Sequence, residues 1–152
     1  MNESLNNDIE KIFKQIKILV NSSKNKIYSM VNTEMLNLYW NIGKIIMKIQ
    51  VGEKRAKYGD KVLEELSIKL TKEFGKGFSV QNLRKMREFY QTFPICSTVS
   101  SELSWSHYLE LIKINDNNKR NFYMLETINS KWSVRELQRQ KDSLLSNRKW
   151  IN

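Results

Sequence analysis

Residues 77–94 read GFSVQNLRKMREFYQTFP. Within them Val80, Leu83, Met86, Tyr90 and Phe93 recur at the spacing of one helical face. Ser79 is a suitable N-cap, because its hydroxyl can accept from a first-turn amide, and Pro94 cannot continue the helix it follows. Gln81, Arg84, Lys85 and Glu88 fall at i, i+3, i+4 and i+7, a polar stripe opposite the apolar one, with Asn82 beside it. Just upstream, Gly75-Lys76-Gly77 is a turn signal. Before that turn Val62, Leu63, Leu66, Leu70 and Phe74 define another amphipathic helix, which Asp60 is placed to cap. Two helices joined by a short glycine turn have the layout of a helix-turn-helix, and the helix after the turn would be the reader.

The rest of the chain is also helical in pattern. Ile9, Ile12, Phe13, Ile16, Leu19 and Val20 line a first amphipathic stretch, which polar residues 21–25 weaken. Val31, Met35, Leu38, Tyr39, Ile42, Ile45, Ile46 and Ile49 line a second; its continuity with the first stays open. Gly43 inside that run costs about 1 kcal/mol relative to Ala, so its presence predicts close approach of another helix. An interruption is expected at residues 51–58. Downstream of the Ser-rich loop 95–101, helices are expected over 105–114, 119–129 and 133–146. The last begins with Ser133 and Glu136, a capping-box pair, and Trp132 just before it suits a hydrophobic staple. Five Gly, one Pro and almost no alternating run leave little material for a sheet. The expected fold is all-α: long N-terminal helices (1–57), a central helix-turn-helix (58–94), and a C-terminal helical region (95–152), packed as one unit.

Composition bounds the function. Twenty-six Lys and Arg against sixteen Asp and Glu give a net charge of +10, which attracts polyanions. The same Lys, Asn and Ile richness also follows from AT-rich coding, so the placement of the charges matters more than their sum. Cys96 is the only cysteine, and no stretch resembles a secretory leader or a span of about 20 uncharged apolar residues. These features point to a cytoplasmic protein with no membrane association.

Catalytic constellations lack parts. His107 is the single histidine and, with one cysteine, leaves no ordinary zinc site or Cys/His pair. Between Ser106 and Tyr108 it is better read as a hydrogen-bonded structural residue. No GxxxxGK[ST] or GxGxxG loop occurs, and Asp116-Asn117-Asn118 lacks the glycine and distal Glu of a calcium loop. The expectation is a module with no catalytic residues, no metal and no cofactor. Trp40, Trp105, Trp132 and Trp150, with Tyr39, Tyr90, Tyr108 and Tyr123, could stack on unpaired bases, but their positions in the apolar pattern suit a core.

The segments YWNIGKII (39–46), YGDKVLEELSIKL (58–70), GFSVQNLRKMREFY (77–90), LSWSHYLELI (103–112) and WSVRELQRQ (132–140) resemble, in order and spacing, the N-terminal domain of the YhcG-like family of bacterial proteins. The resemblance implies a helical, winged-helix-like or helix-turn-helix DNA-binding region that precedes a PD-(D/E)XK nuclease domain in full-length relatives. This chain stops soon after WSVREL, where those relatives continue, so the nuclease label is not carried over. The expected role is DNA binding, with duplex DNA as partner. Gln81, Asn82, Arg84 and Lys85 would lie nearest the bases, and Lys76 and the first amides of the Ser79 helix would lie at phosphate. Arg135 and Arg139, on one face of the WSVREL helix, are a second phosphate contact or a dimer contact. The alternative is an interaction module, in which the long N-terminal helices form a homo-oligomer or dock a nuclease subunit.

Overall fold

The computed structural model describes residues 2–52 and 56–143, with side chains over 2–48 and 59–143. Among the described residues there are six α-helices, a 3-10 turn at Cys96–Thr98 and no strand. The fold is all-α, and no β-wing accompanies the central helix pair within these residues. The helices are α1 (Asn2–Gly52), α2 (Ala56–Phe74), α3 (Val80–Thr92), α4 (Trp105–Leu111), α5 (Asn117–Ser130) and α6 (Val134–Asp142). The two expected N-terminal helices are therefore one, because polar residues 21–25 contain no Gly or Pro to stop it. Of the interruption expected at 51–58, residues 53–55 lie outside the described residues.

Contacts divide the chain into two units, Met1–Glu34 and Met35–Asn152. The first is the N-terminal part of α1, and its apolar side chains, Leu5 through Val31, are exposed.

The second unit is organised around α3. Leu83 and Met86 pack with Ile46 of α1 and Leu63 of α2, while Phe89 and Phe93 pack with Leu36 and Trp40 of α1 and with Tyr108 and Leu111 of α4. One helix thus contributes to both apolar clusters. Phe89 touches the rings of Phe93, Trp105 and Tyr108 at centroid distances of 4.9–5.9 Å, mostly tilted or edge-on as ring quadrupoles favour. Gly43 lies against α3, the close approach its position predicted. Tyr39, Trp40, Tyr90, Trp105, Tyr108, Tyr123 and Trp132 belong to or pack on the core, as their pattern suggests; Trp150 lies outside the described residues. The Trp40 indole donates to the Phe93 carbonyl at 2.7 Å, which satisfies a buried donor.

Several local expectations need correction. Asp60 does not cap α2, which has already begun at Ala56; it sits inside the helix. Ser133 does cap α6 by accepting from the Glu136 amide at 3.1 Å, but the Glu136 carboxylate bonds Arg139 and Gln140 instead of reaching back. A charged donor one turn along is the stronger competitor. The reciprocal box forms at α4, where the Ser104 hydroxyl accepts from the His107 amide and His107 Nδ1 accepts from the Ser104 amide at 3.1 Å. The other ring nitrogen, Nε2, then carries the proton and donates to the Trp132 carbonyl at 2.8 Å. His107 is thereby a structural clasp joining the α4 start to the α6 approach. Helix α6 ends at Asp142, since Ser143 turns to ψ 132, and residues 144–146 of the expected helix lie outside the described ones.

Candidate nucleic-acid interface

Helix α3 presents its polar stripe because its other face is committed to the core. Leu83, Met86 and Phe89 are buried, whereas Gln81, Arg84, Lys85 and Glu88 are exposed. The turn in front of it is built for backbone geometry. Gly75 and Gly77 have φ of +88 and +112, with no atom within 4 Å of where a Cβ would stand, so glycine is required there by conformation alone. Lys76 sits between them, exposed.

The start of α3 is held tightly. Ser79 Oγ accepts from the Asn82 amide at 3.1 Å, and Asn82 Nδ2 donates to the Gly77 carbonyl at 3.2 Å. These two expected site residues therefore brace the turn, and one of the two N–H donors of the Asn82 side chain is spent there. Gln81 and Lys85 point from the same helix on its exposed side. Arg84 Nη2 stands 3.4 Å from Asp60 Oδ1, with side chains 45% and 60% exposed. Such a long, solvated pair is worth about 0–1 kcal/mol, so Arg84 can leave it for a stronger anion.

The far end of the stripe has neighbours. Lys85 and Glu88 line a cleft of about 340 Å³ with Glu110 and Lys113 of the α4 region and Val134 and Gln138 of α6. Arg135 and Arg139 are exposed on α6 but do not line that cleft, and Arg139 is engaged by Glu136. The structure thus brings Lys76, Ser79, Gln81, Asn82, Arg84 and Lys85 together at one turn and helix start, while Arg135 and Arg139 stand on a different helix, α6.

Local pattern could not reveal the network beneath the cleft. Glu110, mostly buried, accepts from Lys113 at 2.9 Å, Gln138 at 3.0 Å and Lys141 at 3.1 Å. Burial alone would raise its pKa, but these donors outweigh burial and hold the carboxyl at about 2. It ties α4 to α6 and fixes one wall of the cleft. Its signal in sequence is weak, because Lys141 lies 31 residues away.

A helix pair joined by a glycine turn, embedded in an all-helical domain and with a polar stripe left bare, defines a class of small α-helical module. Comparison with known families makes this specific: residues 15–148 match the DUF1016 N-terminal domain, and the chain belongs to that family. It is also similar to a protein of Escherichia coli (strain K12) named "Putative nuclease YhcG", with 34% identity over 155 aligned residues. That alignment covers 80% of this chain and 41% of the relative, so the chain spans less than half of the relative's length. No solved structure matches the chain. The resemblance stated from the five motifs is borne out.

Among the described residues no helix is long and apolar enough to cross a membrane.

Proposed function

We propose that this domain binds duplex DNA through the turn and the first half of α3. One observation carries the reading: an exposed stripe of Gln81, Arg84 and Lys85 lies on a helix whose opposite face is locked into both core clusters. A rigid helix with a polar outer stripe can enter the major groove with its N-terminal turns inward. In that pose Arg84 and Lys85 donate to guanine O6 and N7 or to phosphate, and the Gln81 amide can pair bidentately with adenine. Lys76 and the first amides of α3, which carry partial positive charge, meet the backbone phosphate. Ser79 and Asn82 keep the turn in shape, with the Asn82 carbonyl oxygen still open to a base donor. Arg135 and Arg139 provide a further phosphate contact on the same duplex.

The neighbourhood agrees with this division of labour. Glu88, which phosphates would repel, stands at the cleft end of the stripe, toward Lys113, rather than at the turn. The similarity to a protein named as a nuclease supports a nucleic-acid partner, and in this reading the domain supplies binding to whatever cleavage activity it accompanies.

The test is a titration of the purified chain on labelled duplex DNA at several salt concentrations. Phosphate binding predicts an affinity that falls linearly on logarithmic axes as salt rises. Absence of binding at low salt, or binding indifferent to salt, removes the proposal.

A further inference from the structure

The first unit carries an apolar seam with a specific period. Ile9, Phe13, Ile16, Val20, Ile27 and Met30 are 45–67% exposed. Their separations alternate between four and three residues, with Ser23 filling the step between Val20 and Ile27. A mean period of 3.5 residues, sustained over three heptads, is the pattern of a helix that winds around another helix. Ile12 and Leu19, 55% and 67% exposed, widen this seam on one flank. Helices in proteins draw most of their stability from covering such a face, so a partner helix is the occupant this spacing selects.

Charge identifies which helix. Residues 2–34 hold Lys11, Lys14, Lys17, Lys24 and Lys26 against Glu3, Asp8, Glu10 and Glu34, so the segment is nearly neutral in a chain of net charge +10. Two copies of it do not repel, whereas a nucleic acid or anionic lipid surface would call for an excess of cations. The flanks also choose a direction. Glu10 and Lys24 are two heptads apart and occupy the same flank; antiparallel pairing of two copies brings each beside the other, twice. It also sets Ile9 against Ile27, Ile16 against Val20, and Ser23 against Phe13. Parallel pairing would instead stack Ser23 on its own copy and set Lys17 and Lys24 beside Ile12 and Leu19. Lys17 meeting its own copy at the centre is the one like-charge contact of the antiparallel form, which also sets Lys26 beside Ile12.

We propose that residues 9–27 pair with the same segment of a second copy of this chain as an antiparallel two-stranded coiled coil. This rests on the seam and its flanking charges, and is independent of DNA binding.

Sedimentation equilibrium of the full chain tests it. The expected mass is twice the 18.1 kDa of one chain, dissociating on dilution, and Ile16→Glu with Val20→Glu returns it to a single chain. All four tryptophans lie beyond residue 34, so their fluorescence shows whether the second unit remains folded in that variant. Direction is read by cross-linking after Cys96→Ser. Ile9→Cys with Ile27→Cys forms a covalent dimer under mild oxidation, and Ile9→Cys alone does not, its two copies being about 27 Å apart along the axis. A single-chain mass at every concentration, a dimer unaffected by the double glutamate variant, or cross-linking through Ile9→Cys alone would overturn the proposal.

Discussion

Gly43 of α1 and Met86 of α3 are in backbone contact: a Cβ on Gly43 would stand 2.1 Å from the Met86 carbonyl oxygen and 2.8 Å from its carbonyl carbon. Helix α3 is therefore set against α1 by main chain, which cannot rotate aside as a flexible side chain would. In an open helix Gly→Ala gains about 1 kcal/mol of helix propensity. Here the sign reverses. Gly43→Ala is predicted to destabilise the second unit by about 1–3 kcal/mol, because α1 and α3 must move apart and loosen both clusters. Chemical denaturation followed by tryptophan fluorescence measures it; a variant as stable as the parent contradicts the contact.

Acid should weaken the α4–α6 junction. Glu110 is held at about 2 against an ordinary value of 4.5, so the folded state binds its proton less readily than the unfolded chain does. The resulting stabilisation is complete above pH 4.5 and is lost as pH falls from there toward 2, about 2–4 kcal/mol in all. Glu110→Gln is predicted to flatten that part of the stability–pH curve and to lower stability at neutral pH, since Lys141 keeps only 14% exposure and loses its carboxylate. Unfolding midpoints across the acid range for both proteins provide the comparison, and parallel curves would refute it.

Neighbouring residues on α3 should separate into support and reading. Asn82→Ala removes the donor to the Gly77 carbonyl and is predicted to cost about 1 kcal/mol of stability. Gln81→Ala, at an exposed site, should leave stability within about 0.5 kcal/mol. It should instead reduce discrimination among duplexes differing at one base pair by about 1–3 kcal/mol. Competition binding with a panel of duplexes and parallel unfolding curves distinguish the two; a loss of stability in Gln81→Ala with unchanged preference would reverse the roles.

Much of this was readable from residue spacing. The α3 face followed from Leu83, Met86 and Phe93 with Pro94 as the stop, and Gly43 announced a close helix because nothing else justifies glycine in an apolar helical run. What local pattern missed depended on partners distant in the chain. Glu110 is an ordinary helical acid until Lys141 arrives, and the pairing of Asp60 with Arg84 is likewise a tertiary fact. The Ser133 and Ser104 caps show the same limit: both serines cap as their type predicts, but which N3 side chain answers depends on whether a stronger donor competes, as Arg139 does for Glu136. The exposed residues Lys76, Gln81, Arg84 and Lys85 were legible as a stripe, whereas the bracing of the turn by Asn82 was not.

The most direct test of DNA binding through α3 compares the salt dependence of affinity for the parent chain and for an Arg84→Ala, Lys85→Ala double variant. Each phosphate neutralised contributes a slope of about 0.9 in log affinity against log salt. The account predicts a slope shallower by about 1–2 in the double variant, with weaker binding at low salt and unchanged folding. An identical slope and affinity in the two proteins would contradict it and take α3 out of the interface.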